Sequence, residues 1–341
     1  VREASKDTAE KGVCYDYGVA DQDDVTHIAW TASRGIPSFL PVTVPEPVML
    51  KFFGDQGRQI ERQRLPLSVE EAASLVASLD EDILARRAYA YHPYWANCAT
   101  KLRDLIDRAS NGRLRNGPTV IPRGTFRDYL EEGHTGHVDI LSAMALYVGE
   151  GNDRAPTPWE AMFLPSVLRD GVAERFSAPP EKLGERIGIV LPTSRTIGRI
   201  AVVLFALLLL AAFRLAARRG RLSLGLKLVG GVLGAVALSI ELVSALVAWP
   251  EVSRNWALVL FLPTDLALPY LSKRRLALYL KVRLGIAAVI ALLEIAGVAR
   301  QPLLHLVVLV ALPLGAILSA LRGSAEEPGP TPAPATPLSS G

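Results

Sequence analysis

Beyond Arg195 the chain runs through five apolar stretches, at 197–217, 228–249, 256–271, 276–299 and 302–321. So much apolar sequence cannot be folded into one water-soluble core. The stretches approach the roughly 20 residues that a membrane-crossing helix needs. The first contains the unbroken run IAVVLFALLLLAAF between Arg199 and Arg214. Spans flanked by Lys or Arg can be shorter, because those side chains snorkel to the interface. The third stretch is the shortest and carries Asp265, Pro263 and Pro269. It is expected to be a broken or tilted span, tolerable only where neighbouring helices cover the backbone groups that proline frees.

Charge divides along the same line. Residues 196–341 carry 14 Lys+Arg against 6 Asp+Glu, and residues 1–195 carry 23 against 28. An acidic front half and a basic, apolar back half exclude a single globular domain. They also argue against a nucleic-acid partner, since the positive charge sits beside the hydrophobic runs. One connection holds Arg214, Arg218, Arg219, Arg221 and Lys227, and another holds Lys273, Arg274, Arg275, Lys281 and Arg283. The opposite side offers only Arg195, Arg199, Arg254 and Arg300. By the positive-inside rule, residues 1–195 and the connections at 250–255 and 300–301 lie outside the cytoplasm. Five spans then put the Pro-rich tail, residues 323–341, in the cytoplasm, where its composition predicts disorder.

Ionisable groups within spans are functional suspects. This topology puts Glu241, Glu294 and His305 in the outer half of the membrane and Asp265 deeper. Glu294 and His305 either pair with each other or serve a function. Glu241, two turns inside Trp249, is expected to face the bundle interior or a polar cleft.

The front half reads as a few strands followed by helices. KGVCYDYGV (11–19), VMLKFF (48–53) and RQIERQRL (58–65) have strand composition, and Ser68 with Glu71 forms a capping box that opens a helix. In NCATKLRDLIDRASNG, Leu102, Leu105, Ile106 and Ala109 recur at helical spacing, with Asn97 as N-cap and Gly112 as stop. Thr157-Pro158-Trp159-Glu160 opens a further helix. Residues 113–122 read as loop, and 178–192 as a Pro-rich linker.

Cys98 therefore falls in the first turn of a helix. Unpaired amides and the positive end of the dipole there lower a thiol pKa and can stabilise an oxyanion, with Asn97 as a further side-chain donor. A buried structural cysteine and a Cys14–Cys98 disulfide remain open on position alone. Arg103 and Asp104, on the same helix, are either a functional pair or surface charges. His134 and His137 beside Asp139 read as a solvated turn, with no metal expected. His27 and His92 stand alone. Nothing resembles a phosphate-cradling loop, and no cofactor is expected.

YAYHPYWANCATKLRDLID (89–107) resembles the Asn-Cys-x-Thr-x-x-Arg-Asp signature of the Lnb family of bacterial lipoprotein N-acyltransferases. CYDYGVAD (14–21) is similar to that family's Tyr-x-x-Gly strand, GTFRDYLEE (124–132) to its Phe-Arg segment, and ALYVGEGNDRAPTPWEAMFLP (145–165) to its Gly…Asp…Trp-Glu…Phe-Leu-Pro stretch. The resemblance implies an α+β chain, with a circularly permuted papain-like (NlpC-like) extracytoplasmic domain followed by an all-α five-helix transmembrane bundle. It divides the chain into that thiol domain at 1–177, a linker at 178–195, the membrane domain at 196–322 and the tail at 323–341.

The resemblance makes Cys98 the nucleophile and Asn97 a catalytic residue with it, with Thr100, Arg103 and Asp104 in support. The family's general base is a Gly-His motif ahead of the Tyr-x-x-Gly strand. The chain opens VREASKD, which resembles the continuation just after that motif, so the base is expected upstream of Val1 and the thiol domain is expected to be N-terminally truncated. The expected activity moves an acyl chain from a phospholipid donor through a Cys98 thioester to the amine of a diacylglyceryl lipoprotein, in the bacterial inner membrane with the thiol domain periplasmic. Glu241, Arg254 and Asn255 are expected to line the lipid entry or hold head groups. A membrane-tethered cysteine peptidase or amidase acting on cell-wall peptide, and a non-catalytic binding protein, are the alternatives.

Overall fold

The computed structural model describes residues 12–21, 25–116, 123–187 and 194–323. In chain order its front part has β1 (Val13–Ala20), α1 (Val25–Ser33), β2 (Ser38–Pro45), α2 (Glu46–Asp55), β3 (Ile60–Arg62), α3 (Val69–Leu84), β4 (Tyr89–Ala90), α4 (Cys98–Ala109) and α5 (Phe126–Gly133). Then come α6 (Val138–Tyr147), α7 (Pro158–Ala161), α8 (Pro165–Phe176) and β5 (Glu181–Gly184). The apolar half has α9 (Ile197–Arg218), α10 (Leu222–Leu246), α11 (Pro250–Ser253), α12 (Ala257–Leu260), a 3-10 segment (Pro263–Tyr270), α13 (Lys273–Ile295) and α14 (Leu304–Gly323). The chain is mostly helical with a few strands.

Two compact units emerge, and they do not follow the sequence boundaries. One comprises residues 1–136, 151–194 and 244–253; the other comprises 137–150, 195–243 and 254–341. The first unit thus includes the segment directly after α10, while α6 belongs with the apolar helices.

In the first unit an antiparallel sheet of order β1-β2-β4 carries α3 and α4. The expected strand at 48–53 is instead the helix α2, opened by Glu46 and Pro47, and the strand lies just before it as SFLPVTVP. Pro41 is tolerated inside β2 because it falls where the register slips between Asp16 and Val19, a point with no ladder partner to lose. The region expected to be a linker at 178–195 holds β5, which pairs with β3. Capping boxes close at Ser68, Asn97, Thr125 and Thr157, each satisfying orphan amides of the first turn.

In the second unit four helices, α9, α10, α13 and α14, are long and apolar enough to cross a membrane. Among the described residues, four of the five expected spans are continuous helices, and the third is broken. The third apolar stretch becomes four residues of α12, two extended residues and eight in the 3-10 segment, because Pro263 and Pro269 deny a continuous helix its donors. Leu260, Asp265 and Leu268 are inaccessible, whereas Val259, Leu266 and Tyr270 stay exposed on the other side of the segment. Gly230 and Gly234 make that approach possible: a Cβ on either would come within 2.5 Å of the Asp265 carbonyl oxygen or 2.4 Å of Leu266. Arg283 pairs with Asp265 at 2.8 Å and donates to the Leu260 carbonyl at 2.7 Å. One buried guanidinium thus neutralises the acid and satisfies a backbone acceptor that the break leaves free. The tail expected to be disordered lies, apart from Gly323, outside the described residues, as does the latter part of the loop expected at 113–122.

Candidate active site around Cys98

The site is built from the turn that feeds α4. His92 and Ala96 exchange backbone hydrogen bonds of 2.9 and 3.1 Å, folding 92–96 back on itself and delivering Asn97 to the helix start. Asn97 Oδ1 accepts from the Thr100 amide at 2.9 Å, and Thr100 Oγ1 accepts from the Asn97 amide at 2.8 Å. Cys98 is thereby fixed as the first helical residue. The Asn97 amide group is fully used, donating to the carbonyls of Pro93 at 2.8 Å and Phe163 at 2.9 Å. Both side-chain N–H groups of Asn97 are thus committed to backbone carbonyls, and neither is left for the oxyanion role expected from its place in the sequence. Of the first four amides of α4, Thr100 donates to Asn97 Oδ1 and Lys101 to the Asn97 carbonyl. Those of Cys98 and Ala99 remain, and both act on the thiol.

Both cysteines are free thiols, so Cys98 is available for chemistry. Its pKa does not follow the helix-dipole expectation. Burial against apolar neighbours pushes the thiol above its ordinary value, and the nearby Asp16 carboxylate adds to the rise. The Ala99 amide and the residue's own amide pull it down but do not prevail. Placing a thiolate at a helix start lowers its energy only where water or dipoles replace the solvation it loses. Cys98 keeps a solvent-exposed face, and partial desolvation by the apolar wall on its other side sets the direction. Among the described residues no histidine is hydrogen-bonded to the sulfur. Tyr89 and Tyr91 are close enough that their phenol pKa values are also raised, first by burial and then by the negative form of Cys98.

Cys98 opens into a cavity of about 360 Å³, within the range of small-molecule pockets. Leu102 and Ile106 follow Cys98 at i+4 and i+8, forming one wall along α4, and Leu65, Leu168 and Val172 close the opposite side. The helical periodicity expected of core residues therefore splits. Leu105 and Ala109 are buried in the domain core, while Leu102 remains 38% exposed along the cavity. The remaining polar side chains of the wall are already engaged. Gln63 Nε2 donates to the Arg169 and Ala178 carbonyls, and Arg169 is paired with Glu61 and Asp170.

The other expected residues have structural partners. Thr100 is buried within the capping box. Arg103 pairs with Asp104 at 2.8 Å, donates to the Trp159 carbonyl at 3.0 Å and lies over the Trp159 ring, so this pair ties α4 to α7. Glu241 lies exposed on the outer face of its unit and not toward the bundle interior. Arg254 is also exposed. Asn255 is buried, with its amide donating to the Leu146 carbonyl and its oxygen accepting from Ala257 and Gln301, so burial keeps it from a lipid head. Glu294 accepts from the Leu303 amide, ahead of the α14 start.

One constellation was missed. His92 Nε2 lies 3.6 Å from Glu251, a residue 159 positions later in the chain, and Trp95 Nε1 donates to the same carboxylate at 3.0 Å. Burial pushes the Glu251 carboxyl up, but His92, Trp95 and its own amide outweigh burial and hold it below the ordinary range. The only sequence signals were a lone histidine and an acid beside a span, and neither announces the other.

No curated protein and no solved structure matches this chain. Residues 3–132 match the family model described as the Lnb N-terminal periplasmic domain. The match agrees with the Lnb-type resemblance of the Asn-Cys segment and, with the four long apolar helices that follow, makes this a membrane protein with a periplasmic-type N-terminal domain.

Proposed function

We propose that this protein is a cysteine-dependent acyltransferase of the Lnb type, acting on lipid-anchored substrates at the outer face of the bacterial inner membrane. The observation that carries the reading is the free Cys98 thiol at the start of α4, with two unspent amides directed at it. The sulfur attacks an ester carbonyl of a phospholipid. A C–O bond breaks, the alkoxide leaves as a protonated lysophospholipid, and a thioester forms on Cys98. The Cys98 and Ala99 amides are the donors available to the oxyanion of each tetrahedral intermediate. The α-amine of a diacylglyceryl lipoprotein then attacks the thioester, the C–S bond breaks, and the thiol is restored as the N-acyl product departs.

The raised thiol pKa bears on the first step. A thiol held protonated near neutrality needs a base to take its proton as the C–S bond forms. Both substrates carry their own lipid anchors, so a membrane-bound enzyme gains proximity to them without extracting either from the bilayer. Transferring an acyl chain to water would cost about 0.8 kcal/mol per methylene.

The test uses the full chain in phospholipid vesicles with a diacylglyceryl lipopeptide acceptor. Cys98→Ala should abolish both the hydroxylamine-sensitive acyl adduct and the N-acylated product, while the protein stays in the membrane. Retained transfer by Cys98→Ala would overturn the reading.

A further inference from the structure

We infer that the cavity beside Cys98 is a hydrocarbon channel that takes the acyl chain attached to this sulfur and sets which chain lengths the protein accepts. The inference deepens the acyl-transfer reading and rests on it for its biological meaning, but the channel itself is argued from geometry.

Cys98 lies on the cavity wall, so any group bonded to its sulfur begins at the channel. From there Leu102 and Ile106 continue along the same face of α4, about 6 and 12 Å from the sulfur-bearing residue along the helix axis, with Leu65, Leu168 and Val172 opposite. An extended peptide in this space would need backbone donors and acceptors from the wall. The polar side chains there are Gln63 and Arg169, and both are committed to carbonyls or carboxylates within the domain. A linear hydrocarbon needs no such partners and gains by covering apolar surface such as the exposed part of Leu102. A chain leaving the bilayer to form a thioester would otherwise lie in water. A channel starting at the thiol replaces the lipid environment it gave up.

The channel is tested without relying on catalysis by modifying Cys98 in the full chain with methyl and octyl methanethiosulfonate, reading the site of the disulfide by mass spectrometry. In the wild type, octyl reagent should modify Cys98 at least about tenfold faster than methyl, a modest fraction of what burying seven further methylenes allows. Leu102→Trp, at a partly exposed position, should erase that ratio in the same detergent, and Leu84→Trp, exposed and away from the cavity, should preserve it. An octyl-to-methyl ratio near one in the wild type, or a ratio unchanged by Leu102→Trp, overturns the channel. With phospholipids of defined chain length, Leu102→Trp should shift Cys98 acylation toward short chains by about tenfold. A length profile identical to wild type overturns the assignment. Preferential octyl modification without any acylation by phospholipid would sink the transferase reading and leave the hydrocarbon channel standing.

Discussion

At Cys98 two familiar effects oppose each other, and their balance decides the chemistry. The first-turn amides favour the thiolate, whereas burial and Asp16 disfavour it, with burial the largest influence. The direction gives a test. A thiol whose pKa is raised stays protonated at neutral pH, so alkylation of Cys98 by iodoacetamide in this chain should climb about tenfold per pH unit through pH 8. Its rate should not level off below pH 9. A plateau near pH 6 or 7, read by mass spectrometry at this site, would show the opposite sign. Asn97 carries the companion lesson. Its identity as an N-cap was legible from the sequence, because Asn before an apolar periodic run is a local signal. That its amide donates to Pro93 and Phe163 was not legible, since Phe163 is 66 residues away.

At the scale of elements, local signals succeeded where the chemistry is local. The capping boxes at Ser68 and Thr157 form between residues three apart, and their partners can be read directly. VMLKFF fails as a strand because its hydrophobicity alternates no better than it repeats, and the Glu46-Pro47 start decides for helix α2. The broken third stretch depends most on its neighbours. Run in line, four helical, two extended and eight 3-10 residues would reach about 29 Å, against about 21 Å for a straight helix of the same residues. A broken segment can therefore bridge nearly the whole hydrocarbon thickness, about 30 Å, if its polar groups are covered. Arg283 provides that cover for Asp265 and Leu260. Arg283→Met should lower stability in detergent by about 3–5 kcal/mol, because it strands a buried carboxylate. Pairing it with Asp265→Leu should recover part of that loss. A single variant unfolding at the wild-type temperature would show that the ion pair does not hold the segment.

At the scale of the whole molecule, the charge distribution and the broken segment make a joint prediction. If the positive-inside rule holds on both sides of residues 257–270, that segment must carry the chain from the outside at Ser253 to the inside at Ser272. In a background with Cys14 and Cys98 replaced by Ser, Ser253→Cys should react with an impermeant maleimide in intact spheroplasts. Ser272→Cys should react only after permeabilisation. Outside labelling at Ser272→Cys would reduce the segment to a re-entrant one and put α13 in the opposite orientation.

The sequence alone determined that the chain has an apolar half with membrane-length stretches and a mixed front half, and that Cys98 starts a helix. It also pointed to the Lnb type through the Asn-Cys segment. The first two follow from composition, periodicity or neighbours a few residues apart, and the last from a likeness of motif. Tertiary structure decided which leucines of α4 face the core and which line the cavity, that Arg283 settles Asp265, and that Glu251 joins His92 in the first unit. It also decided that the thiol pKa rises. Those outcomes depend on desolvation and on partners distant in the chain. A hydrophobic pattern shows that a side chain will be covered, but only the fold shows what covers it.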